Sequence, residues 1–207
     1  MPDFHLLKGD SNKRIIEWIN RNLSKQPFTP HKEELNSKLT SKGIYFWFIK
    51  PKGGYDALSK FVDIDSSNTK FKKEFKKIEC ELVYIGMTGT EENSSNLYTR
   101  LNNQHINGNI KGSTLRKGLA TLISENLQPP IEDEVNELLK NFFLVQWIEY
   151  PKSENKSIKA DEDFLIKELK PLLNIKHNKN SYKSSKPNPT KTYSERRKKI
   201  LKLNGLK

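Results

Sequence analysis

The chain has 207 residues, enough for one compact domain with appendages. Its 34% hydrophobic and 10% aromatic content supports one modest core and excludes a wholly disordered chain. Of the 37 Lys and Arg, eleven fall in residues 176–207 beside one acid, Glu195, so that segment holds ten of the twelve net positive charges on a nearly neutral body. Such a tail reads either as a polyanion contact or as a solvated terminus, and its sparse apolar residues make attraction to a membrane the weaker option. Cys80 is the only cysteine, which rules out an intramolecular disulfide and fits a reducing compartment. No apolar run reaches the length of a membrane span, and residues 1–10 do not read as a secretory signal, so a cytoplasmic location is expected.

Residues 11–24 carry Ile15, Ile16, Ile19 and Leu23 at helical spacing, with Ser11 or Asp10 as candidate caps. Pro30 opens a second expected helix reaching to about Leu39. Residues 43–49 are β-branched and aromatic and read as a strand, closed by Pro51, Gly53 and Gly54. The stretch 55–80 is Lys-rich and weakly patterned, with a helix expected around 70–78. Residues 82–86 read as a second strand. A helix over 96–105 turns Leu97 and Leu101 inward, and another from Ser113 buries Leu115, Leu119, Leu122 and Ile123. A short acidic helix runs to about Lys140, residues 142–150 form a third strand, and a helix over 160–170 ends at Pro171.

This order implies an α/β (α+β) fold, a small three-stranded antiparallel sheet flanked by helices. The expected division is a helical N-terminal extension (1–41), a central domain (42–178) with an insertion at about 51–80, and a basic linker with a short helix (179–207). Thr192 and Glu195 are spaced as a capping box for that last helix.

Alternation along 43–49 puts Ile44, Phe46 and Phe48 on one face of the first strand and Tyr45 and Trp47 on the other. In the second strand Val83 and Ile85 oppose Tyr84, so pairing of the strands would let Tyr45 and Tyr84 share a face. Alone, two such tyrosines are ordinary half-buried aromatics. On the 160–170 helix Glu162 falls within the stripe of Leu165, Ile166 and Leu169. A carboxylate there is costly unless it meets a cation, a metal or hydrogen-bond donors, or serves as a cap. Asp161 and Asp163 lie off that stripe and read as solvated. Arg100 flanks the Leu97–Leu101 stripe. Two tyrosines, an arginine and an inward carboxylate together resemble the equipment for phosphodiester hydrolysis.

Gly43-Ile44-Tyr45 and Tyr84-Ile85-Gly86 match the two signatures of the GIY-YIG nuclease family. Arg100 in NLYTRL matches its helix arginine. Glu162, Leu165, Ile166, Lys170, Pro171, Leu173 and Asn174 match its closing pattern in register. The resemblance spans about residues 43–178. A narrower likeness, to a largely uncharacterised bacterial group, rests on the H-x-x-G-N-x-x-G-S-T-L-R segment from His105 to Arg116 and on Asn178. Three departures stand out. The two signature tyrosines are separated by 38 residues. Gln104 occupies the usual histidine place, four residues after the arginine, with His105 one further on. Met87 replaces a lysine found after the second signature in some members.

The resemblance implies an endonuclease that hydrolyses DNA with one divalent ion, Mg²⁺ (or Mn²⁺), held by Glu162, phosphate oxygens and water. Arg100 would stabilise transition-state charge, Tyr45 would act as general base, and Tyr84 would orient water or phosphate. His105 would relay a proton or contact phosphate, unless its shifted register has cost it that role. Ser113, Thr114 and Arg116 are candidate phosphate contacts at a helix start, where Ser113 and Thr114 could also serve as caps. Gly43, Gly86 and Asn174 would be structural supports. Lys183, Lys186, Lys191, Arg196, Arg197, Lys198 and Lys199 would bind the nucleic-acid backbone without reading sequence. Double-stranded DNA is the expected partner, with no membrane, and a homodimer if both strands are cut. Restriction or defence and repair remain open roles. So do two alternatives: a non-catalytic nucleic-acid-binding module that kept the fold, and an RNA substrate.

Overall fold

The computed structural model describes residues 12–24, 26–58, 71–91, 94–123 and 131–174, with positions 195, 197–199 and 202 of the C-terminal segment. In chain order these form α1 (Asn12–Asn22), β1 (Lys42–Ile49), α2 (Pro51–Leu58), β2 (Lys72–Phe75), β3 (Ile78–Met87), a π-helix (Thr99–Ile106), α3 (Thr114–Ile123), α4 (Ile131–Phe142), β4 (Phe143–Tyr150), a 3-10 turn (Lys152–Glu154) and α5 (Ile158–Leu169). None of these helices is long and apolar enough to cross a membrane.

The sheet is antiparallel in the order β2-β3-β1-β4 and therefore has four strands, not three. The added strand lies where a helix is expected around 70–78. Phe71 and Phe75 are four apart, which imitates a helical stripe, yet both pack edge-on against Phe48, with ring centroids 5.6 and 5.3 Å away. Residues 71, 73 and 75 of a strand share a face, so an extended chain achieves the same burial. The expected second helix over 30–39 is likewise absent. Leu35 and Leu39 are buried at helical spacing, but turns carry them. There Asn36 Oδ1 accepts the Lys38 N–H, one of the local side-chain bonds that compete with a helix.

Helices cover both faces. Ile15, Trp18, Ile19 and Leu23 of the N-terminal segment pack with Ile44, Phe46 and Phe48 of β1 and with Leu165, Ile166 and Leu169 of α5. Each such buried side chain stabilises the fold by roughly 1.5–3 kcal/mol before entropy is charged. The opposite face carries Tyr45, Trp47 and Tyr84 beneath α3 and α4. Ser24 and Phe28 bond to the outer edge of β4, Ser24 N–H to the Trp147 carbonyl at 2.8 Å. Phe28 exchanges two backbone bonds of 2.9 Å with Val145, which shields that edge.

One irregularity bears on the site. Trp47 pairs with Tyr84 but Phe48 pairs with Leu82, so Val83 is an extra residue on β3. This bulge breaks strict alternation: Val83 joins the same core cluster as Tyr84 instead of opposing it. Beyond it, regular pairing sets Tyr45 opposite Gly86 and keeps Tyr45 and Tyr84 on one face, their ring centroids 6.5 Å apart.

Candidate active site

At the end of the sheet where β1 begins and β3 finishes, a cavity of about 310 Å³ is lined by Tyr45, Tyr84, Gly86, Met87, Thr88, Gly89, Ser95, Arg100, Lys159 and Glu162. Tyr45, Tyr84, Arg100 and Glu162 thus come together from β1, β3, the π-helix and α5.

Tyr45 can lie flat across the sheet because its cross-strand neighbour has no side chain. A Cβ at Gly86 would meet the Tyr45 ring and hydroxyl at 2.5–2.6 Å. Gly43 is equally constrained, since a Cβ there would stand 2.1 Å from the Ile148 carbonyl. Asn174 fastens the chain after α5 to β3: Oδ1 accepts the Ile85 N–H and Nδ2 donates to the Ile85 carbonyl, both at 2.8 Å. The residue between the signature tyrosine and glycine is therefore clamped on its open edge.

The π-helix accounts for the displaced histidine. Its backbone bonds close over five residues, as from Asn107 N to Asn102 O at 2.8 Å. In such a turn a residue five places on returns to the same side, as one four places on does in an α-helix. His105 therefore lands beside Arg100. Arg100 Nε donates to the Tyr45 hydroxyl at 3.3 Å, and His105 Nε2 lies 2.8 Å from the same oxygen. Gln104, in the usual histidine place, accepts a bond from Arg100 Nη1.

His105 is fully buried, and burial, reinforced by the charges of Arg100 and Arg116, pushes its pKa down to about 3. It is neutral at physiological pH, with one N–H. Its Nδ1 sits 2.7 Å from Ser113 Oγ, which already accepts the Arg116 N–H at 3.1 Å. The Ser113 proton has no other acceptor among the described residues, so the hydroxyl donates to Nδ1 and Nε2 carries the hydrogen. His105 then donates to Tyr45, whose oxygen receives two donors while its own proton is left to the cavity.

The sequence puts Ser113, Thr114 and Arg116 among the phosphate contacts; the structure separates them. Thr114 is exposed at the start of α3. Ser113 is buried behind His105. Arg116 is also buried and turns inward. Its Nη1 donates to the carbonyls of His105 and Ile106 at 3.0 Å, and its Nη2 to Glu132 at 2.9 Å and Asn136 at 2.8 Å. This guanidinium closes the C-terminal end of the π-helix rather than facing the cavity.

Glu162 is nearly enclosed, and burial raises its pKa against the opposing pull of Lys159, whose Nζ lies 3.0 Å away and also reaches Asp163. Lys159 has no place in the sequence reading, although it precedes Glu162 by one helical turn. Asp161, expected in solvent, is buried and accepts a 3.0 Å bond from the Tyr150 hydroxyl.

Both tyrosines are harder to ionise than a free phenol. Burial raises Tyr45 well above the usual value, and burial pushes Tyr84 up to about 12, with Glu162 adding to the rise and Arg100 and Arg197 opposing it. The Tyr84 hydroxyl has no hydrogen-bond partner among the described residues and stands open to the cavity. Arg197, Lys198 and Lys199 are helical, and the charge of Arg197 is felt at Tyr84. Lys183, Lys186, Lys191 and Arg196 lie outside the described residues, as do Ser11, Thr192 and Asn178.

Among the described residues no group of three His, Cys, Asp or Glu side chains could hold a metal. Glu162 could supply one ligand. A single carboxylate completed by phosphate oxygens and water is a donor set that suits Mg²⁺.

No curated protein and no solved structure is matched by the chain. A family model described as the GIY-YIG catalytic domain matches residues 43–199, well over half of its length. The chain belongs to the GIY-YIG nuclease family.

Proposed function

We propose that this chain is a metal-dependent endonuclease hydrolysing phosphodiester bonds in DNA. One observation carries the reading: Tyr45, Tyr84, Arg100 and Glu162 line a single cavity, with a buried neutral histidine behind it. Membership of a nuclease family supports it.

In this reading Tyr45 is the general base. Burial opposes its ionisation, but the Arg100 charge and the two donors at its oxygen favour the phenolate. Tyr45 first releases its own proton to water in the cavity; the attacking water then gives its proton to the phenolate oxygen, which Arg100 and His105 hold in place. Tyr84 orients the water or the phosphate through its free hydroxyl. Arg100 also faces the non-bridging oxygens, where negative charge builds. Glu162 would hold Mg²⁺ (or Mn²⁺), which when bound supplies charge neutralisation at the phosphate and the leaving oxygen. The basic C-terminal segment adds affinity without sequence preference, and the chemistry serves restriction, defence or repair equally. Cutting both strands at one place would take two copies.

The test is cleavage of plasmid with Mg²⁺, against EDTA, by the wild type and by Glu162→Gln. The amide keeps the shape of the side chain and loses the charge. The wild type should cut only with metal, and the variant should fold, bind DNA and fail to cut. Undiminished cleavage by the variant would remove Glu162 from the mechanism, and metal-independent cleavage would overturn the reading itself.

A further inference from the structure

A second cavity, of about 740 Å³, opens beside the candidate active site and plays no part in the mechanism above. Three neighbouring pairs of residues place the two side by side. Gly89 lines the first and Thr90 the second. Lys159 lines the first, and Lys156, three residues earlier in the turn before α5, the second. Ser95 lines the first, and its carbonyl accepts a 3.2 Å bond from Lys42, which lines the second.

The charged residues that line this cavity are lysines. Lys42, Lys152 and Lys156 line it with the hydroxyls of Thr40, Thr90 and Ser153, and no carboxylate is among its lining residues. Three carboxylates lie close by: Glu149 accepts from Ser41 Oγ and Asp161 from the Tyr150 hydroxyl, the two donors being lining residues, and Glu154 stands between Ser153 and Asn155 in the chain. Lys42 is buried, its ammonium donates to Ser94 and Ser95 oxygens, and it has no ion pair among the described residues. Lys152 and Lys156 are exposed and have no ion pair among the described residues. These cations gather near the N-terminal end of α5, which is itself the positive end of a helix.

We propose that this cavity seats the backbone of the DNA strand flanking the cleaved phosphate, with Lys152 and Lys156 neutralising its phosphates. The assignment rests on the reading of the first cavity as a DNA nuclease site. Continuity with that site and two exposed lysines without an ion pair among the described residues both fit an extended polyanion. The lysines position the strand and carry no sequence information.

The experiment is binding of a short DNA duplex in EDTA over a range of salt, by fluorescence anisotropy, together with cleavage in Mg²⁺. The wild-type chain is compared with Lys152→Ala/Lys156→Ala and with Lys152→Arg/Lys156→Arg. Losing two phosphate contacts should weaken binding about tenfold at low salt and make the log–log salt slope shallower by about 2. The rate at saturating DNA should be unchanged, and the arginine pair should restore affinity. If the wild type binds and cuts DNA but the alanine pair matches it in affinity and slope, this surface is not used. If the wild type binds no DNA, the nuclease reading fails and takes the surface with it. An RNA duplex of the same sequence forms the other arm; a loss confined to RNA would overturn the assignment to DNA.

Discussion

Arg100 and His105 stand five residues apart and reach the same atom, the Tyr45 hydroxyl oxygen, at 3.3 and 2.8 Å. The helix beneath them is wound so that five residues make the return that four make in an α-helix. The π-helix thus brings both side chains to one phenol.

The two signature tyrosines should respond differently to loss of the hydroxyl. Tyr45→Phe removes the partner of a buried histidine and should lower stability by about 1–3 kcal/mol. As the proposed base, its loss should slow cleavage about 10²–10⁴-fold. Tyr84→Phe breaks no bond among the described residues and should shift stability by no more than about 0.5 kcal/mol, while still slowing cleavage. Thermal melts and single-turnover rates separate the two. A Tyr45→Phe protein that is destabilised but fully active would reduce Tyr45 to a packing residue.

His105 should make the fold acid-sensitive. Its pKa is depressed from the ordinary value of 6.5 to about 3 in the folded chain. Between those values the unfolded chain binds the extra proton, so stability falls as pH drops. The contribution is fully present above pH 6.5 and is lost at about 1.4 kcal/mol per pH unit down to about pH 3. Carboxylates titrate in the lower part of this range, so the relevant quantity is the difference from His105→Gln, which carries no such group. Denaturation curves of the two proteins at a series of pH values measure it. Parallel pH dependences would show that His105 is protonated in the folded state.

Arg116→Met should destabilise the chain by about 2–4 kcal/mol, because the carbonyls of His105 and Ile106 lose a buried charged donor. Cleavage should fall beyond what the unfolded fraction explains, since His105 is no longer held toward Tyr45. Urea denaturation gives the first quantity and rates scaled to folded protein give the second. Arg116→Met with normal rate per folded molecule would confine Arg116 to stability.

The strands β1 and β4, the second half of β3 and the helices α3, α4 and α5 are legible because dense apolar runs or stripes mark them. β2 is not, because Phe71 and Phe75 satisfy a helical and an extended pattern alike. The turn nature of residues 30–39 hides for the same reason behind Leu35 and Leu39. Of the residues that line the candidate cavity, Tyr45, Tyr84, Arg100 and Glu162 are legible because a tripeptide or a helix face marks them. Arg116 and Asp161 escape because charge alone suggests solvent, and only the fold supplies the carbonyls and the Tyr150 hydroxyl that meet them. Whether His105 reaches the site depends on how the helix winds, which no count of residues reveals.

The N-terminal helix has a practical consequence. Homology to the family begins at residue 43, but Ile15, Trp18, Ile19 and Leu23 cover the sheet face that bears Ile44, Phe46 and Phe48. A chain trimmed to the matched stretch would expose that face to water. It would also bare the outer edge of β4, since Phe28 would be gone. A naked apolar face beside an open strand edge is a recipe for aggregation. Anyone isolating the catalytic region by its homology limits should expect insoluble protein, and any protease that cuts within residues 24–41 should release little so long as the helix stays docked.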